Sequence, residues 1–473
     1  MMRSVRTQVV IHWDRMPGRL KGKCPCKIYE TGGTERMSIS RTRLWLLFII
    51  CLGLSAPAAV ARADCNATPG TVITKQNWMQ YKDCFPQGIQ GLWQGTVGYW
   101  KMPDDAEIHV GQPHQFTLPR PYQDATEKYG GQTRLEKQSD GQYKLVNYVA
   151  GLPFPNPTEP DKGTKIAANI TYRFQPAFVG AFVDLGNNGY LYSKDRFGNT
   201  ASQYADALYR QLAYGWEPEY PHTDPRAAGA WYSEWLMSEW PEQSKYTAVL
   251  TVLWQDNLRE DDDYAFVPAL RRSLRLSSNA RCSPVLGTDI VRDDQRVGWN
   301  GGVGKFVGKW LRDQKILSLQ GADGKIAGDF PAQFDGILGW PKPSWGDWEV
   351  RDTYVIDVRR IPNLAPGYCY GSRVMYVDKQ YYQTLHEDIY DANMKLWKIY
   401  YAVFAPAPFR NYSPQMGLGS VMIEVWDVQN DHASYLTGFN KTGRVPFYDN
   451  QLPEQYDDVP KYSTPAGLMQ LMR

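Results

Sequence analysis

The sequence predicts a mainly β fold of the α+β kind, built on one large, curved antiparallel sheet with a few covering helices or loops. Three observations carry this expectation. Strand-like runs separated by turn residues fill most of the chain, and helical periodicity is scarce. Aromatic residues are also abundant, with 17 Trp, 31 Tyr and 16 Phe among 473 residues. Such a composition excludes a disordered chain and promises a sizeable core. The length suits two or three average domains or a single large all-β one. Neither an internal repeat nor a linker-like stretch marks a boundary, so residues 64–473 read as one domain.

Taken in order, Ala177–Asp184 and Gly189–Tyr192 flank Gly186-Asn187-Asn188, which reads as a hairpin signal. Ser202–Tyr214 carries apolar residues at Tyr204, Leu208 and Leu212, the spacing of an amphipathic helix. Tyr246–Trp254 is β-branched and aromatic with few polar positions, a strand covered on both faces. A C-terminal meander comes next, with strands over Ser372–Asp378, Tyr381–Tyr390, Lys395–Phe404, Ser420–Val428 and Ala433–Phe439.

The beginning of the chain reads as an export signal. Arg41 and Arg43 precede an apolar run, Leu44–Leu54, and Ala61-Arg62-Ala63 supplies an A-x-A cleavage pattern before Asp64. The run has eleven residues, too short for the ~20 that span a bilayer. Met37 is the natural start of this signal, so residues 1–36 read as an upstream extension and 37–63 as the signal peptide. The formal charge of +2 then belongs to the precursor. Residues 1–63 hold eleven Lys/Arg and three Asp/Glu, and the remainder has 41 basic and 47 acidic residues, a net of −6. An exported chain of that charge lacks the basic stripe that nucleic acid requires. The expected compartment is the periplasm. Four cysteines remain there, Cys65, Cys84, Cys282 and Cys369. An even count in an oxidising compartment favours disulfides. Four cysteines allow three pairings. Proximity in sequence favours Cys65–Cys84, which leaves Cys282–Cys369.

Chemical motifs mostly fail on inspection. Gly301-Gly302-Val303-Gly304-Lys305 is succeeded by Phe306, so a phosphate loop would lack its Ser/Thr, and Trp299 stands where its first glycine belongs. Gly367-Tyr368-Cys369-Tyr370-Gly371 has the spacing of a nucleophile elbow, with His386 or His432 as conceivable bases. The stretch after Gly371 reads as a strand rather than a helix, and no nucleophile–base–orienter set is visible. His109, His114, His222, His386 and His432 form no metal-ligand spacing, and His386 is expected on the polar side of its strand. The acidic clusters Asp261-Asp262-Asp263 and Asp289 with Asp293-Asp294 lack the spacing of a calcium loop. They read as partners for nearby arginines. No metal or cofactor is expected.

Several of these stretches carry a family resemblance. They are Gly70–Trp78, Gly151–Pro157, Asp263–Arg272 with its Tyr-Ala-Phe-Val-Pro-Ala-Leu-Arg-Arg block, Leu274–Ser278, Gly287-Thr288-Asp289 and Asp378–Trp397. Together the chain resembles an exported bacterial family of unknown function described as similar to the LolA/LolB lipoprotein-carrier fold. The resemblance implies an incomplete antiparallel barrel plugged by helices around an apolar cavity. It further implies a non-enzymatic periplasmic carrier of lipids or other hydrophobic molecules. Cooperation with an inner-membrane exporter of the resistance-nodulation-division kind would be in keeping with it. It carries no catalytic residues over.

From the strand pattern, the expected cavity lining is Val249, Leu253, Phe266, Tyr376, Trp397 and Tyr400. Arg271 and Arg272 are the expected contacts for an anionic head group. Two competing readings are a secreted hydrolase built on Cys369 or an acidic cluster, and an aromatic-rich glycan-binding module.

Overall fold

The structure is a computed structural model. It describes residues 64–185, 189–214, 222–277, 281–322, 334–364, 367–408, 416–437, 447–448 and 454–472. The expected upstream extension and signal peptide lie outside the described residues.

Among the described residues the main sheet has fifteen strands. The first seven are β1 (Phe178–Ala181), β2 (Gly189–Asp195), β3 (Thr200–Gln211), β4 (Ala230–Trp240), β5 (Ala248–Trp254), β6 (Asp262–Val267) and β7 (Arg272–Arg275). The other eight are β8 (Phe306–Leu319), β9 (Trp348–Arg360), β10 (Ser372–Asp378), β11 (Thr384–Tyr390), β12 (Leu396–Pro408), β13 (Met416–Asp427), β14 (His432–Thr437) and β15 (Phe447–Tyr448). All their ladders are antiparallel.

The topology is two meanders joined edge to edge. Strands β2 to β7 pair in sequence order, as do β8 to β14, and β14 pairs with β2 to join them. Neighbours in sequence are thus neighbours in space, as short connections favour. Among the described residues β7 and β8 each have a single partner, so the sheet stays open. Strand β1 lies along the same edge of β3 as β2. It pairs with Ala207–Arg210, and β2 pairs with Thr200–Ala205.

Both faces of the sheet are covered. Along β12 the side chains alternate: Ile399, Tyr401 and Val403 enter one core, and Tyr400, Ala402 and Phe404 the other. The first core is closed by the N-terminal segment with helix α1 (Gln87–Gln94), through Ile89, Leu92, Trp93 and Trp100. There Trp340 stacks among Trp348, Tyr401 and Trp426 with centroids 5.2, 5.6 and 6.1 Å away. Each such pair adds about 0.5–1.5 kcal/mol beyond its buried area. Gly88 lets α1 approach, because a Cβ there would stand 2.4 Å from Asp388 Oδ1.

The opposite, inner face holds two helices and a long connection. Helix α2 (Arg120–Tyr129) and helix α3 (Lys162–Tyr172) pack against β8 to β10 through Tyr122, Ile166, Ile170, Ile356 and Met375. The connection from β7 to β8 runs across the inner face of both meanders and forms a plug. It reaches β4 at Asn300–Glu234, β6 at Arg292–Asp263, β10 at Asp294–Arg373 and β14 at Asp289–Ser434.

The sequence expectations hold for the open antiparallel sheet, for Tyr246–Trp254 and for the C-terminal meander, with shifts at strand ends. Two differ. Residues 202–211 belong to β3 rather than to a helix, and Ala213–Tyr214 pairs separately with His222–Thr223. A four-residue spacing is also a multiple of the strand period of two, and β2 and β4 supply ladders on both sides. The stretches either side of Gly186-Asn187-Asn188 do not pair as a hairpin, because β1 and β2 both spend their ladders on β3. The three turn residues themselves lie outside the described residues.

Candidate functional site

A cavity opens on the inner face where β3 exchanges β2 for β1 as its neighbour. Alternation along β3 turns Ala205, Ala207 and Tyr209 to this side. Strand β4 adds Tyr232 and Leu236, and β1 and β2 add Val179, Gly180, Ala181, Gly189 and Leu191. Met422 and Ile423 of β13 and Leu436 of β14 complete the sheet wall. The roof is Phe174-Gln175-Pro176, Gln295-Arg296-Val297 of the plug, Tyr381 and Gln383. Its volume is about 160 Å³ counted as space for the centre of a water-sized sphere, where ~10–15 Å³ holds one water. The space exists because the facing strand positions are glycine and alanine, too small to fill it.

Polar groups gather on the roof side. Arg296 Nη2 donates to Thr171 O at 3.0 Å and to Gln175 Oε1 at 2.7 Å. Its guanidinium lies 4.4 Å from the Tyr232 ring and 4.9 Å from that of Trp231. Arg296 and Val297 are both left-handed, at φ 51° and 58°, a conformation costing a non-glycine residue about 1–3 kcal/mol. Gly298 comes next at φ 86°, and a Cβ there would meet Glu387 Oε1 at 2.3 Å. Beside the cavity, Glu234 accepts from Asn300 Nδ2 at 2.7 Å. Burial, opposed by Arg296 and Arg292, pushes its carboxyl up to about 8.

The two acidic clusters singled out in the sequence meet on the plug. Arg281 holds Asp293 Oδ1 at 2.6 Å and also contacts Asp261. Arg292 holds Asp261 at 2.8 Å, Asp263 at 2.9 Å and Asp293 at 3.1 Å. Arg373 bridges Asp294 and Glu387 at 2.9 and 2.8 Å. Burial alone would raise the Asp261 carboxyl, yet Arg292 and Arg281 outweigh it and hold the group down at about 2. Apart from Asp289, which pairs with His432, these carboxylates are committed to arginines, which makes the network a clamp between plug and sheet. The partners are Arg259, Arg275, Arg281, Arg292 and Arg373.

Both disulfides join the expected pairs, Cys65–Cys84 and Cys282–Cys369. The Cys369 sulfur is therefore bonded, and the elbow-like spacing around it carries no thiol nucleophile. His386 is buried rather than on a polar side. It stacks on Tyr401 at 5.0 Å and its Nε2 lies 3.2 Å from Leu317 O. Burial brings its pKa down to about 3. The β11 strand has cores on both faces and so no polar side. His432 pairs with Asp289 at 2.5 Å.

None of the six residues expected to line a cavity lies on the wall of this one. Val249 is half-buried on β5, opposite Leu236. Leu253 packs with Trp231 and Tyr232 and edges a second, much smaller hollow. Phe266 points into the core on the outer face of β3 to β6. Tyr376 and Tyr400 are buried in the inner core of the second meander. Trp397 donates to Asp427 Oδ2 at 2.8 Å. Arg271 and Arg272 are exposed at the β6–β7 turn. Sequence reasoning misses the cavity residues because small side chains, not large ones, mark a void. The legible signal is Gly180-Ala181 facing Ala205 and Ala207.

Comparison with solved structures gives partial likenesses. An outer membrane lipoprotein-sorting protein domain from Vibrio parahaemolyticus shares 16% identity, with 58% of this chain and 89% of that one covered at a TM-score of 0.40. A DUF1329 family protein from Desulfovibrio piger shares 13%, covering 64% and 100% at 0.42. A LolA superfamily protein from Nitrosomonas europaea shares 14%, covering 62% and 96% at 0.35. No curated protein matches the chain. The family described as "Protein of unknown function (DUF1329)" matches residues 72–468. With the match running through both meanders and their covering segments, the chain belongs to the DUF1329 family.

Proposed function

We propose that the protein is a non-enzymatic periplasmic carrier that shelters a lipid or another hydrophobic molecule in the cavity between the meanders. The observation that carries the reading is the apolar wall of Leu191, Ala205, Ala207, Leu236 and Ile423 around a partly open hollow. Each methylene buried there contributes roughly 0.8 kcal/mol, so a short alkyl chain gathers several kcal/mol before the cost of immobilisation. Binding of this kind is non-directional and fits a carrier better than an enzyme. The sequence-level reading of a cleaved leader, and of service to an envelope exporter of the resistance-nodulation-division kind, belongs to the same proposal.

The test is titration with Nile red, an uncharged dye that brightens in apolar surroundings, on the wild type and on Ala207→Trp. The carrier reading expects saturable binding, competition by alkyl compounds, and loss of both in the variant while its unfolding transition stays cooperative. Dye binding unchanged by Ala207→Trp would remove the cavity from the proposal. A glycan-binding reading draws on a separate feature, the row Tyr190–Tyr204–Trp240 with centroids 5.3 and 5.5 Å apart. Trp240 is 46% exposed. Affinity for soluble oligosaccharides lost in Trp240→Ala would favour it.

A further inference from the structure

Two buried cations flank the cavity without a carboxylate in ion-pair contact among the described residues. Arg296 is a wall residue, and Arg173 sits one step behind it, between Phe174 and the end of α3. They are 5% and 2% exposed. Arg173 donates to Gln383 Oε1, Ile170 O and Arg296 O, and Arg296 to Thr171 O and Gln175 Oε1. Every one of these acceptors is neutral. Arg296 Nε and Nη1 have no acceptor among the described residues. Nearby on the plug and its neighbours, Arg281 and Arg292 each hold at least two aspartates and Arg373 holds Asp294. The fold thus neutralises its other buried arginines and leaves this pair alone, although an unpaired buried charge is costly. The acid at the adjoining position of β4, between Tyr232 and Leu236, is Glu234. Its raised pKa keeps it largely protonated at neutral pH.

We propose that the cavity takes an amphiphile with an anionic head group, carboxylate or phosphate, lying against Arg296 with Arg173 behind it. The chain runs along Leu191, Ala207, Leu236 and Ile423. This rests on the carrier reading and adds the ligand's charge to it. The head group supplies the acceptor that Nε and Nη1 lack, in a low-dielectric setting where a charge-assisted bond is strong. Arg271 and Arg272, exposed at a turn, have no part in it.

The test is calorimetric titration of the whole mature chain with four ligands of one chain length, each below its micelle concentration: dodecanoate, dodecyl phosphate, dodecanol and dodecylamine. At least one anion should bind roughly tenfold or more tighter than dodecanol, the range of a hydrogen bond to a charged group. Dodecylamine should bind weakest. Which anion leads identifies a fatty-acid or a phosphate-ester head. Arg296→Gln should shrink the anion's advantage below about threefold while leaving dodecanol unchanged, and Arg296→Lys should restore part of it. The wild-type comparison decides the matter even where a variant fails to fold. Equal binding of dodecanoate, dodecyl phosphate and dodecanol overturns this inference and leaves the carrier reading standing. Absence of binding by all four overturns both.

Discussion

Replacing Glu234 by Gln probes the electrostatics of the inner face directly. The side chain is 1% exposed, and its one hydrogen bond is accepted from Asn300 Nδ2 at 2.7 Å, which a glutamine oxygen accepts equally well. Burial is the main cause of the shift that places the folded carboxyl near 8, against an ordinary value of 4.5 when it is exposed. Between those values the folded chain keeps a proton that the unfolded chain has released. Stability therefore falls as pH rises through this window, and above about pH 8 the loss is complete. At ~1.4 kcal/mol per pH unit, the whole gap is worth at most about 5 kcal/mol. The glutamine has nothing to titrate. The stability difference, wild type minus Glu234→Gln, should then drop by a few kcal/mol between about pH 5 and about pH 9. Urea unfolding of both proteins across that range measures it. A difference that stays flat would mean that Glu234 is ionised in the fold. It would then neutralise Arg296, and the case for an unpaired cation at the cavity would collapse.

Three further outcomes are expected. Loss of Cys282–Cys369, which closes 87 residues, should cost about 4–5 kcal/mol by loop entropy. Loss of Cys65–Cys84, which closes 19, should cost only about 3 kcal/mol, so guanidinium unfolding of the two double-serine variants should rank them in that order. Asp293→Asn strips one charge from the contacts with Arg281 and Arg292 and should destabilise by about 3 kcal/mol or more, read from the shift in urea midpoint.

Much of the fold is legible in the residues. The β-branched and aromatic run at Tyr246–Trp254 and the punctuated C-terminal strands carry their structure locally, so alternation and turn chemistry reveal them. Strand β3 is not legible, because its apolar residues satisfy both periods and only the ladders of β2 and β4 decide between them. The split of its edge between β1 and β2 is a tertiary fact with no local signature. Compartment and proximity in sequence favour the cysteine pairs, and the structure chooses them among the three pairings.

The site is harder for a physical reason. Large apolar residues announce a core, and Tyr376, Tyr400 and Phe266 are core. The Trp surplus serves mainly packing, as in the stack around Trp340. A cavity is announced by what is missing, here the small residues of β1 to β3, and strand reading alone gives those no weight. The acidic clusters do partner arginines, some close in sequence, as Arg259 and Arg275 with Asp262, and others brought from the plug and from β10. Arg296 stays hidden because no local pattern shows that a buried cation lacks a counter-charge.

The central claim is that the cavity between the meanders carries an acyl-bearing molecule. Native mass spectrometry of the mature protein from its own compartment, with solvent extraction of the same sample afterwards, tests it most directly. Close to one acyl-bearing molecule per chain is expected on the wild type and none on Ala207→Trp. A wild-type protein that emerges empty and binds soluble oligosaccharides would contradict the claim.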